Sequence, residues 1–187
     1  MLVLASQSPR RAEILRQAGI PFEVRAADID ETPFIGERAE DYVRRLAEAK
    51  AVAVDGGLVL AADTTVVVDD AILEKPRDAA DAIRMLRLLA GRRHQVLTGI
   101  CLRQGAQRIV DAATTDVWFS AMSVAEIEEY VASGEPMGKA GGYGIQGLAS
   151  KYVERIEGCY FNVVGLPVSL VWRHLRSLAG GSAWSTI

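Results

Sequence analysis

The stretch Leu2-Val3-Leu4-Ala5-Ser6-Gln7-Ser8-Pro9-Arg10-Arg11 sets the reading of this chain. Leu2 to Ala5 is a short apolar run suited to a buried strand. Ser8 is a good N-cap and Pro9 suits the first helical position. Ala12, Ile14, Leu15 and Ala18 carry the helical pattern on, Gly19 ends it, and Pro21 prevents its resumption. The chain therefore opens with a strand that feeds a helix.

Outward from that segment the pattern alternates. A strand is expected near Phe22 to Arg25, a polar loop over Asp28 to Gly36, and a helix from Arg38 to about Val54. Leu58 to Ala62 and Thr64 to Val68 are β-rich runs on either side of Asp63, followed by an Asp69-Asp70 turn and a short return strand, Ala71 to Leu73. Asp78 can cap a helix that Gly91 closes. Two long strands, Gln95 to Leu102 and Arg108 to Phe119, are joined around Gly105. Ser123 and Glu126 have capping-box spacing at the head of another helix, which Gly134 ends. Gly138 to Gly147 is too rich in glycine for a regular element. Strands are expected near Tyr152 to Ile156 and Phe161 to Val164, then a final helix opened by Pro167. The tail, residues 180–187, is expected to be loose. Strands, helices and hairpins in this order predict an α/β protein, a mixed sheet flanked by helices.

Composition narrows the function. At 187 residues and 50% hydrophobic, the chain can bury a real core, and its formal net charge of -3 lacks the basic surplus of a broad nucleic-acid face. The positive charges at the N-terminus follow the apolar run, the reverse of a signal peptide, and no apolar run is long enough to cross a bilayer. Cys101 and Cys159 have no metal-ligand spacing. The expectation is a cytoplasmic protein with reduced cysteines and neither a membrane nor a nucleic acid as partner.

Five segments carry candidate chemistry. Ser6, Ser8, Arg10 and Arg11 surround a helix N-terminus, where free N–H groups and the positive dipole end favour an anion and arginine can clamp phosphate oxygens. The same pattern suits an ordinary capped helix with solvated arginines. Glu31 can hold a divalent cation and Lys50 can neutralise a phosphate, though an acid and a lysine are also common on surfaces. Asp63 interrupts an apolar strand, a costly place for a lone carboxylate, so it is a candidate general base or cation ligand. A plain turn between two strands is the other reading. Lys75, in Glu74-Lys75-Pro76, is another phosphate candidate. In Gly138 to Gly147, Tyr143 can stack on a base, and the amide of Gln146 can pair with a base edge. No P-loop and no dinucleotide fingerprint is present. His94 and His174 have no partner at metal spacing and read as structural or surface residues.

Taken together, Ser6 to Arg11, Ala62-Asp63-Thr64, Glu74 to Asp78, Ser133 to Pro136, Lys139 to Gly147 and Val164 to Pro167 resemble the Maf family of nucleoside triphosphate pyrophosphatases, in that family's order and over nearly the whole chain. The resemblance implies a single Maf/ITPase-like domain over 1–187, with two lobes around a central cleft and often a homodimer. It implies hydrolysis of a nucleoside triphosphate to the monophosphate and pyrophosphate with a divalent cation, magnesium or manganese. It gives Ser6, Ser8, Arg10 and Arg11 to the phosphates. Asp63, Glu31, Lys50 and Lys75 take catalytic roles, with Glu31 and Asp63 also metal-linked and Asp63 the general base. Arg10, Thr64 and Gln146 match the branch that acts on dTTP and UTP, whereas the 7-methyl-GTP branch carries glutamine after the catalytic aspartate. The rival readings are a purine-selecting pyrophosphatase and a non-catalytic nucleotide-binding regulator of cell division.

Overall fold

The structure, a computed structural model, describes residues 1–178; the tail expected to be loose lies outside the described residues. The elements run in chain order as β1 (Leu2–Ala5), α1 (Pro9–Gln17), β2 (Phe22–Val24), α2 (Ala39–Val52), β3 (Leu58–Val68), β4 (Ala71–Leu73), α3 (Ala79–Leu89), β5 (Arg93–Gln104), β6 (Gln107–Phe119), α4 (Val124–Ala132), β7 (Val153–Glu157), α5 (Tyr160–Val164) and α6 (Val168–Leu178). The strands form a seven-stranded sheet in the order β2-β1-β3-β5-β6-β7, with β4 on β3. Pairing is parallel for β1 with β2 and β3, and antiparallel for β3 with β4 and β6 with β7, so the sheet is mixed as expected.

The chain divides into two compact units. Among the described residues, one comprises Met1–Asp63, Thr98–Ala113 and residues 165–178, the other Thr64–Leu97 and Thr114–Val164. In the first unit, α2 packs through Ala47 and Ala51 onto Val3, Ala5, Val59, Ala61 and Cys101. Small residues on both sides bring the helix backbone close to the sheet. The tightest point is Gly99, where any Cβ would collide with the main chain at Val43. In the second unit, α3 and α4 pack together, and Met85, Leu86, Leu89, Ile127 and Tyr130 share a core with Val66, Val117 and Phe119.

Local signals explain most boundaries. The Ser8 and Asp78 side chains accept from the backbone N–H groups of Arg11 and Asp81, and Ser123 and Glu126 form a complete capping box. Asp69 and Asp70 both have positive φ, 49° and 63°, the conformation that a two-residue hairpin turn needs.

One alternative reading and one expectation fail here. Asp63 is not in a turn, because β3 runs unbroken from Leu58 to Val68. Nor is Phe161 to Val164 a strand; it lies in helix α5. A short apolar run does not distinguish strand from helix by its pattern. Asn162 settles it: fully buried, its amide nitrogen donates to Val96 O at 2.9 Å and to Thr115 Oγ1 at 3.0 Å. The backbone N–H groups of Asn162 and Val163 both donate to Cys159 O, closing a helical turn.

Candidate active site

The first unit holds most of the expected site. β1 delivers Ser6 and Ser8 to the start of α1, and the chain folds back on its own hydroxyls there. Ser6 Oγ accepts from Ser8 N at 3.2 Å and from Arg11 Nη1 at 3.0 Å. Arg11 Nε donates to Gly165 O at 2.8 Å, which fixes the guanidinium over the turn. Burial pushes the Arg11 guanidinium down from its ordinary value, Asp63 and Glu31 pull it back up, and Arg10 lowers it. Arg10 is likewise lowered by burial. Arginine remains a cation under such shifts. Two arginines thus sit at a helix N-terminus, where backbone N–H groups also favour an anion.

Glu31, Lys50 and Asp63 come together although they lie on a loop, a helix and a strand. Lys50 stands in the last turn of α2, where a cation suits the helix dipole. Its Nζ lies 2.6 Å from Asp63 Oδ1 and 2.6 Å from Glu31 Oε1. The Lys50 and Asp63 side chains are each 10% exposed, while Glu31 is 37% exposed and opens the group toward solvent. The costly carboxylate in the apolar strand is therefore paired, as a buried charge must be. Lysine has three N–H donors, so an ammonium that serves two carboxylates retains capacity for a phosphate oxygen.

Residues that sequence reasoning passed over hold Glu31 in place. Tyr42 Oη donates to Glu31 O at 3.0 Å, and Arg45 donates to Thr32 O at 3.2 Å. Arg45 also grips Glu37 with two bonds of 2.6 and 2.7 Å and lies 4.0 Å from the Phe34 ring centroid. Tyr42 was visible only as an apolar position of α2. The polar tip that makes it an anchor leaves no trace in helical spacing.

Thr64, Lys75 and Gln146 belong to the second unit. Thr64 follows Asp63 on β3 and is half-buried; strand alternation sends its side chain to the opposite face. Lys75 is exposed, on a link whose ends are fixed. Gly141 N donates to Glu74 O at 3.1 Å, and Arg77 binds Asp81 through its backbone N–H and Nε. Those Arg77 bonds, with Arg84, hold the Asp81 carboxyl down to about 2.

Gln146 is exposed in a tight turn where Gly147 N donates to Gly144 O at 3.1 Å. Tyr143 does not fit the stacking role expected of it. It is 5% exposed, its hydroxyl meets His94 Nε2 at 2.8 Å, and its ring packs edge-on against Phe119 and His94. A buried phenol with a satisfied hydroxyl belongs to the core. His94 is structural, as expected.

Among the described residues, no three or more His, Cys, Asp and Glu side chains cluster in a way that could hold a metal ion. Glu31 and Asp63 are nonetheless a fitting pair of donors for magnesium, which is usually held by one or two carboxylates with substrate phosphates and water completing the shell. Cys101 and Cys159 are both free thiols, and burial pushes the Cys101 thiol up to about 11. No helix among the described residues is long and apolar enough to cross a membrane.

The seven-stranded mixed sheet and its flanking helices define an α/β protein. The chain belongs to the Maf family, matching the family model described as Maf-like protein over residues 1–178. It is 54% identical over 187 residues to a dTTP/UTP pyrophosphatase of Anaeromyxobacter dehalogenans, with 98% of this chain and 96% of that one covered. It is 50% identical to a dTTP/UTP pyrophosphatase of Koribacter versatilis over 94% of this chain and 93% of that one. A third, from Vibrio parahaemolyticus, is 50% identical over 89% of this chain and 91% of that one.

Proposed function

We propose that this chain is a nucleoside triphosphate pyrophosphatase that hydrolyses dTTP and UTP to the monophosphate and pyrophosphate. The observation that carries this reading is the near-full-length likeness to relatives named for that activity. The Glu31–Lys50–Asp63 group and the Ser6–Arg11 turn supply suitable chemistry.

In this reading, the Ser6 to Arg11 turn binds phosphate oxygens through Ser6, Ser8, Arg10 and Arg11. Asp63 takes the proton of a water whose oxygen attacks the α-phosphorus. The new O–P bond forms as the bond from the α-phosphorus to the bridging oxygen breaks, and pyrophosphate departs with that electron pair. Lys50 and Lys75 stabilise the negative charge on the phosphates. Glu31 and Asp63 hold a divalent cation, magnesium or manganese, which when bound neutralises phosphate charge. Base preference is assigned to Arg10, Thr64 and Gln146. The formal net charge of -3 supports a small-molecule substrate over a nucleic acid. A cytoplasmic homodimer is part of the reading, and sedimentation of the pure protein tests the assembly.

The test is a panel of nucleoside triphosphates with and without magnesium or manganese, with the phosphate products identified. Metal-dependent pyrophosphate release, fastest with dTTP and UTP, is the expected result. Release with another base preferred would keep the reaction and overturn the roles of Thr64 and Gln146. A folded protein that binds nucleotide without releasing pyrophosphate would point to a regulator.

A further inference from the structure

The glycine-rich segment is held by two side chains outside it, Glu135 and Tyr130. Glu135 lies in the turn after α4, and its carboxylate binds the backbone directly at the end of the segment and, through Tyr130, at Gly144. Oε2 accepts from Leu148 N at 2.9 Å, and Oε1 accepts from Tyr130 Oη at 2.9 Å. Tyr130 Oη in turn accepts from Gly144 N at 3.3 Å. Gly144 and Leu148 stand two residues before and two after Gln146, so carboxylate and phenol together clamp the backbone on both sides of it.

Further contacts make the clamp specific. A Cβ on Gly147 would collide with the Glu135 carboxylate, so the close approach requires glycine there. Glu135 itself is anchored, since its backbone N–H donates to Ser133 Oγ at 3.2 Å and its carbonyl accepts from Lys139 Nζ. Burial pushes the Glu135 carboxyl up, but the Leu148 N–H and the Tyr130 hydroxyl hold it below its ordinary value. It therefore works as a charged acceptor at neutral pH, and hydrogen bonds to a charged group are the strong kind.

We propose that Glu135, acting through Tyr130, is a positioning residue for base selection that fixes the Gly144–Leu148 turn so that Gln146 presents its amide in one orientation. Glu135 touches no substrate in this role. The inference rests on the pyrimidine-nucleotide reading given above, in which Gln146 meets the base. An amide on a loose turn can offer donor or acceptor to any base edge; on a fixed turn it discriminates.

The test measures kcat and KM for dTTP, UTP, dCTP and GTP in the wild type, Glu135→Ala, Glu135→Gln, Tyr130→Phe and the Glu135→Ala/Tyr130→Phe double variant. Amide hydrogen exchange over residues 144–148 is followed alongside. Glu135→Ala is expected to raise KM for dTTP and cut the preference for dTTP over dCTP by about tenfold, with faster exchange confined to the turn. Tyr130→Phe should give a similar loss, and the double variant should lose little more than either alone, because the two side chains act as one device. Glu135→Gln keeps an oxygen for Leu148 N and should recover part of the preference. An equal loss for every nucleotide with an unchanged ratio would overturn the positioning role and leave the pyrimidine reading standing. A wild type with no preference among bases would overturn that reading, and base selection by Glu135 with it.

Discussion

The two regions to which the chemistry is assigned are built on opposite plans. In the first unit, charged side chains from separate elements converge, and Lys50 pins Glu31 and Asp63 in a mostly buried group. In the second, the group assigned to recognition is one amide, Gln146, carried on a glycine-rich turn that Glu135 and Tyr130 hold from outside. Charge convergence suits bond breaking, which needs strong fields in a low-dielectric setting. A braced turn suits recognition, which needs a few donors and acceptors at fixed angles. The difference teaches that loss of a side chain should cost rate in one region and discrimination in the other.

The largest expected effect is in the first region. Asp63→Asn should lower turnover by ~10²–10⁴-fold, the usual cost of losing a general base, while circular dichroism stays native. Near-normal turnover in a folded variant would remove Asp63 from that role. Lys50→Met leaves two carboxylates facing each other without their ammonium, so it should cost about 3 kcal/mol in a urea titration as well as activity. An unchanged midpoint would mean that solvent already screens the group.

The second region should show its character in acid. Burial holds the His94 ring well below its ordinary value, at about 4. Above pH 6.5 the ring is neutral in folded and unfolded chains alike. As the pH falls from 6.5 toward 4, the unfolded chain takes up a proton that the folded one refuses, so stability drops by about 3 kcal/mol across that window. Ring-proton shifts that still report neutral His94 at pH 5 in the folded protein would support this; a ring that titrates near 6.5 would refute it. The smallest effect is Gly147→Ala, which pushes a methyl into the Glu135 carboxylate and should cost about 1–3 kcal/mol. It should also blunt base preference, and the same substrate panel reads that change. A uniform loss across nucleotides would erase the distinction between the regions.

Much of the first region was legible in the sequence because its signals are local or chemically extreme. The capped turn at Ser8-Pro9 and a carboxylate among apolar residues at Asp63 both stand out in a single window. What the sequence does not show is that Lys50, thirteen residues before Asp63, reaches it. The pairing depends on how α2 lies on β3, which the small residues Ala47 and Ala51 set through packing. The second region is less legible. Tyr143 looked like a base platform because aromatic residues in glycine-rich loops suit stacking, yet its ring serves the core beside His94 and Phe119. Phe161 to Val164 looked like a strand because four residues are too few to show a period. Glu135 was visible only as part of Ser133 to Pro136, since its partners lie at Tyr130, Leu148 and Gly147 and no spacing rule joins them.

The division of the chain between its units has a consequence for inheritance and engineering. The boundary falls between Asp63 and Thr64, and the chain passes again after Leu97, Ala113 and Val164. Neither unit is a contiguous stretch of gene, so neither can be lost, duplicated or traded by a single recombination event. The residues assigned to nucleotide preference in the second unit are divided too: Thr64 lies in one of its stretches, and Tyr130, Glu135 and Gln146 share the other, Thr114–Val164. A laboratory that transplants preference from one relative to another can move that stretch whole, but must change Arg10 and Thr64 one by one.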